Sequence, residues 1–143
     1  MAVDKFKLAE KIRIVSAIKQ AEKNTSGEVR VHIENHSKTD VLDRAADVFA
    51  MLKMHKTQLR NGVLFYLALK DKNFAVLGDA GINAVVPDNF WESIKEAMQE
   101  HFKNGDFAEG LSIGITMAGE KLKEHFPYQK DDVNELPDDI SFG

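Results

Sequence analysis

Leu8, Ile12, Val15 and Ile18 recur at helical spacing between lysines and glutamates, which predicts a helix from about Lys5 to Lys23. Asn24-Thr25-Ser26-Gly27 ends it, because asparagine and glycine suit a left-handed cap and the stripe stops there. Val29, Val31 and Ile33 then alternate with Arg30, His32 and Glu34. Period two with β-branched residues predicts a strand with one polar face, placed towards a sheet edge. Thr39-Asp40 opens a second helix with Leu42, Ala45, Ala46, Phe49 and Leu52 on one face. The run from Gly62 to Leu69 is continuously apolar, the pattern of a strand covered on both sides. Asp71-Lys72-Asn73 forms a hairpin turn into a third strand, Phe74 to Leu77.

Pro87 suits a first helical turn, and Phe90, Trp91, Ile94, Ala97, Met98 and Phe102 follow as a helical stripe. The Phe90/Trp91 pair reads as core. Asn104-Gly105 ends that helix, and Asp106 caps another running to about His125, with Phe107, Leu111, Ile115, Ala118 and Leu122 inward. Gly110 and Gly114 each cost this helix up to about 1 kcal/mol of propensity. That cost predicts a close-packed neighbour at this face. Pro127 closes a domain spanning 1–127, and 128–143 reads as an acidic tail or a surface strap.

These elements make an α/β domain with helices on both faces of a small mixed sheet. The strand–helix–strand crossover makes the first two strands parallel, and the hairpin makes the third antiparallel. One edge of the sheet then collects Ser26-Gly27-Glu28, Arg60-Asn61-Gly62 and Gly78-Asp79.

Composition narrows the classes of function. The 143 residues are 43 % apolar and 29 % charged, ordinary for one globular domain. A net charge of −4 with no dense basic block leaves no surface for nucleic acid, though a small phosphorylated ligand needs only a few local cations. The absence of cysteine removes disulfides, thiolate metal sites and cysteine nucleophiles. No apolar run is long enough for a membrane span and the first residues lack the core of a signal peptide, so a cytoplasmic monomer is expected. No dinucleotide, Walker or nucleophile-elbow motif occurs. The histidines, His32, His36, His55, His101 and His125, read as solvated.

Three segments carry a resemblance: Asn61-Gly62-Val63-Leu64; Leu77 to Ile82 with Asp88 behind it; and Phe102 to Gly110. In this order they resemble the TPM domain, a family that includes thylakoid-lumen acid phosphatases, photosystem II repair proteins and a receptor modulator. The likeness runs from about Leu8 to Phe126. It implies a three-layer α/β/α sandwich with a divalent-cation site in the loops at one sheet edge, and in some members phosphatase activity. By motif position it implies Asp79 and Asp88 as acidic site residues, Asn61 as the asparagine opening the central strand, and Asp106 as the aspartate of the helix start. The chain departs from many members in its Gly-Asp-Ala-Gly, where others often carry Gly-Tyr-Gly or Gly-Arg-Gly. It also shows no signal peptide and no C-terminal extension.

On chemistry alone, two carboxylates with amide and carbonyl oxygens make a hard site suited to calcium or magnesium. Gly78 and Gly81, with Ala80 between them, let the backbone approach an ion. The competing reading is an Asx turn at Asp79 and a dipole-favoured helix residue at Asp88; the resemblance favours the metal. Glu28 either adds an oxygen or is a solvated strand end. Lys56 and Arg60 lie on the same edge and either bind the oxygens of a phosphate or neutralise a helix C-terminus. Thr57 has a hydroxyl there but no activating base. The sequence therefore predicts a calcium- or magnesium-binding domain that hydrolyses phosphomonoesters, or else a non-catalytic module for a protein partner with loops ordered by the cation.

Overall fold

The computed structural model describes residues 2–128 and 139–143. Its elements are α1 (Leu8–Glu22), β1 (Glu28–Glu34), α2 (Val41–Met51), β2 (Gly62–Ala68), β3 (Asn73–Gly78), α3 (Ala80–Asn83), α4 (Phe90–Lys103), α5 (Phe107–His125) and β4 (Ile140–Phe142), with 3-10 turns at Ala2–Lys5 and Met54–Lys56. The sheet order is β3-β2-β1-β4. β1 and β2 run parallel with Glu28 opposite Gly62, and β3 is antiparallel to β2 with Gly78 opposite Val63. The expected mixed α/β sheet is present, and its register brings Glu28, Gly62 and Gly78 to one edge.

Central strand β2 is apolar throughout because it feeds two cores. Val63, Phe65 and Leu67 join Val29, Val31 and Ile33 beneath α1, α4 and α5. Leu64, Tyr66 and Ala68 face Ala45 and Val48 of α2 and Met54. The glycine face of α5 is a packing face, as its cost in helix propensity implied. A Cβ on Gly110 would lie 2.6 Å from Cδ1 of Phe102, and one on Gly114 would lie 2.5 Å from Sδ of Met98. Gly119 makes the same kind of approach to Ala21 of α1, at 2.7 Å.

Four expectations need correction. The buried line of α1 is Ile14, Ile18 and Ala21, whereas Leu8 is 73 % and Ile12 59 % exposed. Ile12 lies about 200° round the helix from Ile14, so one line against α5 excludes the other. In α2 the buried residues are Ala45 and Val48, and Leu42 and Ala46 lie outward. The helix expected from Pro87 begins at Phe90. Finally, β1 is interior: Ile140–Phe142 pairs parallel with Val31–Ile33 and takes the edge. Part of the segment read as a tail or strap is thus a strand; residues 129–138, with most of its acidic side chains, lie outside the described residues.

Candidate functional site at the sheet edge

Two loops meet where β2 begins and β3 ends. Asp79 N–H donates to the Gly62 carbonyl (2.9 Å), and Gly81 N–H donates to the Arg60 carbonyl (2.7 Å). Gly81 allows this contact: a Cβ there would lie 2.6 Å from the Arg60 carbonyl oxygen and closer still to that of Leu59. Gly78 has a different reason to be glycine, since a Cβ would enter the Trp91 ring. Arg60 holds a left-handed backbone at φ 53°, a conformation that strains a side-chain-bearing residue by about 1–2 kcal/mol. Strain of this kind clusters at working sites.

That conformation carries the Arg60 guanidinium onto Asp79. Nε and an Nη donate to the two carboxylate oxygens at 2.6 and 2.7 Å, a bidentate pair. Asp79 also caps the short helix α3, accepting from Ala80 N–H at 2.8 Å. The carboxylate is 6 % exposed and the guanidinium 50 %, so one partner is buried while the other reaches solvent.

The remaining candidates are distributed around this pair. Asn61 is buried, its amide donating weakly to Ser26 Oγ at 3.5 Å, and its carbonyl accepts from Glu28 N–H at 3.5 Å. Glu28 is buried rather than solvated. Asp88 is exposed and lines a cleft of about 290 Å3 with Gly78, Asn83, Trp91 and Lys95. Asp79 lines a separate cleft of about 140 Å3 with Ala46, Phe49, Leu77 and Gly78. The two aspartates therefore open on different clefts that share Leu77 and Gly78. Lys56 ends an exposed turn. Asp106 occupies the N-cap position of α5 without a side-chain capping bond. Thr57 is buried with its hydroxyl unbonded.

Among the described residues no group of three or more histidine, aspartate or glutamate side chains is placed to hold a metal. The edge offers hard oxygen donors of the right kind, the buried carboxylates of Asp79 and Glu28 with amide and carbonyl oxygens, but few charges. A cation here would share Asp79 with Arg60 or replace it, and would keep several waters.

A second polar cluster escaped sequence reading, and with it the expectation that all the histidines are solvated fails for His32, which is 1 % exposed. Glu34 accepts from Arg44 Nε (2.8 Å) and Nη (3.0 Å), from the Tyr66 hydroxyl, and from His32 Nε2 (3.3 Å). Burial alone would raise the Glu34 carboxyl, but these bonds outweigh it and hold it at about 2. Burial lowers His32, against the upward pull of Glu34. The signal was the alternation Arg30, His32, Glu34 beside Tyr66, which pairs with His32 in register. His36, in contrast, is at the surface, bonded to Asp71 (2.8 Å).

Fold and edge together define an α/β/α sandwich with its candidate site in the loops where strands begin and end. The chain belongs to the TPM domain family, whose model matches residues 3–121. It is 54 % identical to the BA42 protein of the psychrophilic bacterium Bizionia argentinensis, solved by NMR, with a TM-score of 0.89 over 96 % of this chain and 95 % of that one. The N-terminal domain of a P. gingivalis protein shares the fold at 20 % identity (TM-score 0.70, covering 87 % of this chain and 82 % of that one). So does the N-terminal domain of cg2496 from Corynebacterium glutamicum at 10 % identity (TM-score 0.68, 92 % and 82 %). No match was found among curated proteins. Among the described residues no helix is long and apolar enough to cross a membrane.

Proposed function

We propose that the domain is a binding module set by a divalent cation. Its edge loops take calcium or magnesium on the Asp79 carboxylate, and the Arg60 guanidinium displaced by the ion becomes the contact for a phosphorylated or acidic group on a partner. The observation that supports this reading is the pairing of a buried carboxylate with a half-exposed, backbone-strained arginine. A buried carboxylate needs a counter-charge. A divalent ion supplies more charge than guanidinium and accepts backbone, amide and water oxygens as further ligands. Asn61 contributes an amide oxygen, Glu28 and Asp88 approach through water, and Gly78, Ala80 and Gly81 hold the loop.

Phosphomonoester hydrolysis is the second reading, with the cation polarising phosphoryl oxygens and a bound water attacking. Electrostatic catalysis needs its cations already aimed at the transferred group. Arg60 reaches a phosphoryl group only after the ion has displaced it from Asp79, and Lys56 is exposed at the end of its turn, so neither cation is preset for the transferred group and the module reading leads.

Calorimetry with calcium and magnesium tests the exchange. Asp79→Asn is expected to weaken cation binding at least tenfold, a loss of about 1.4 kcal/mol. Arg60→Gln is expected to tighten cation binding, because the competing guanidinium is gone, while losing calcium-dependent binding of a phosphopeptide. Unchanged cation affinity in Arg60→Gln would refute the exchange. Phosphatase turnover that disappears in Asp79→Asn would favour the hydrolase.

A further inference from the structure

Strand β4 pairs with Val31–Ile33, rests Ile140 and Phe142 against the core, donates the Gly143 N–H to the Ile33 carbonyl (2.9 Å) and, among the described residues, ties a side chain to the other face of the sheet through a bond between Ser141 Oγ and His32 Nδ1 (2.8 Å). The imidazole on which that bond ends is 1 % exposed and lies nearly parallel to the Tyr66 ring (9°, centroids 6.0 Å apart). Its other nitrogen faces Glu34 at 3.3 Å. The carboxylate only accepts, so Nε2 carries the proton and Nδ1 accepts from the Ser141 hydroxyl.

We propose that the β1–β4 seam is a pH-operated latch, in which proton uptake by buried His32 releases the C-terminal strand and bares the edge of β1 at Val31–Ile33. A proton arriving from solvent binds the Nδ1 lone pair that Ser141 uses, and leaves an imidazolium in a site closed to water. Among the described residues Glu34 is the group that draws the charge in, and it is already engaged by Arg44 and Tyr66. Arg30 on β1 and Arg44 on α2 oppose it. On the opposite face, the first 3-10 turn with Asp4 and Lys5 and α1 with Lys11 pack over Val29, Val31 and Ile33. Lys11 sits over the Phe142 ring at 5.9 Å. Detaching β4 gives the imidazolium access to water.

The sign follows from burial lowering the His32 affinity for protons when the strand is docked. The latch is fully closed above the ordinary histidine value of about 6.5 and weakens as pH falls below it. Uptake of one proton changes the opening equilibrium by at most about tenfold per pH unit.

The test uses the full chain and NMR between pH 7.5 and 5. Hydrogen-exchange protection of the Gly143 and Ser141 amides, corrected for the intrinsic rate, is expected to fall by more than about fivefold over this range, within the one-proton limit, while the Val63 amide in β2 keeps its protection. His32→Gln is expected to remove that pH dependence, and Ser141→Ala to loosen β4 at every pH while keeping the slope. In the unaltered protein the His32 ring protons should titrate below 6.5, together with the Gly143 amide shift. Constant Gly143 protection, the same slope in His32→Gln, or His32 titration at or above 6.5 with β4 docked would each overturn the latch.

Discussion

Glu34→Ala is expected to destabilise the domain by about 3–5 kcal/mol, the usual result of removing one partner from a buried ionic network. The carboxylate is 7 % exposed and accepts bonds from Arg44, Tyr66 and His32. Its loss leaves a guanidinium at 16 % exposure and a Tyr66 hydroxyl at the centre of the sheet without their acceptor. Against a typical domain stability of about 5–15 kcal/mol, this change removes about a fifth or more. Denaturant unfolding at neutral pH measures it. The same carboxyl sets an acid limb. Its native value of about 2 lies below the ordinary glutamate value of 4.5, so its contribution is full above 4.5 and disappears as pH falls through 2. The loss over that window is about 3 kcal/mol. In Glu34→Gln this part of the acid dependence should vanish; an unchanged acid limb would mean that Glu34 is not held by the network.

Gly81→Ala is expected to cost about 1–3 kcal/mol, and to cost the edge its geometry. The added methyl meets the backbone carbonyls of Leu59 and Arg60, and backbone cannot turn aside as the end of a side chain does. The loops must separate, breaking the Gly81–Arg60 hydrogen bond and moving Arg60 off Asp79. Gly114→Ala makes a useful control, because its methyl meets the side chains of Met98 on α4 and Phe65 in the core and not the backbone of these loops. Loss of cation response in Gly81→Ala, with the response kept in Gly114→Ala, is the expected pattern.

Much of the fold was legible because the strongest patterns were long. The unbroken apolar run of β2 and the hairpin after it fixed the sheet centre, and parallel β1 then placed Glu28, Asn61 and Asp79 at one edge. The helix faces were less legible. Two stripes sharing Ile18 compete on α1, and packing against α5, where Gly119 approaches Ala21, buries Ile14 and leaves Leu8 and Ile12 outward. β4 has three residues beyond an acidic stretch, too short for periodicity to reveal, and without it β1 reads as an edge strand. Asp79 was found by its glycine flanks, but its partner was not. The Arg60–Asp79 pair depends on a left-handed arginine, and no local sequence rule assigns that conformation to an arginine before Asn-Gly. His32 was misread for a related reason: its burial comes from Ser141 and Tyr66, residues distant in the chain.

Binding of calcium or magnesium at the Asp79 edge is the proposal on which the rest depends. Its most direct test is a titration of the labelled protein with each ion, followed through amide shifts. Changes are expected to be confined to Leu59–Gly62, Gly78–Ile82 and Asp88, with the Arg60 Nε–H signal moving as its bond to Asp79 is released. No change at these residues, or changes confined to the acidic segment after Tyr128, would contradict it.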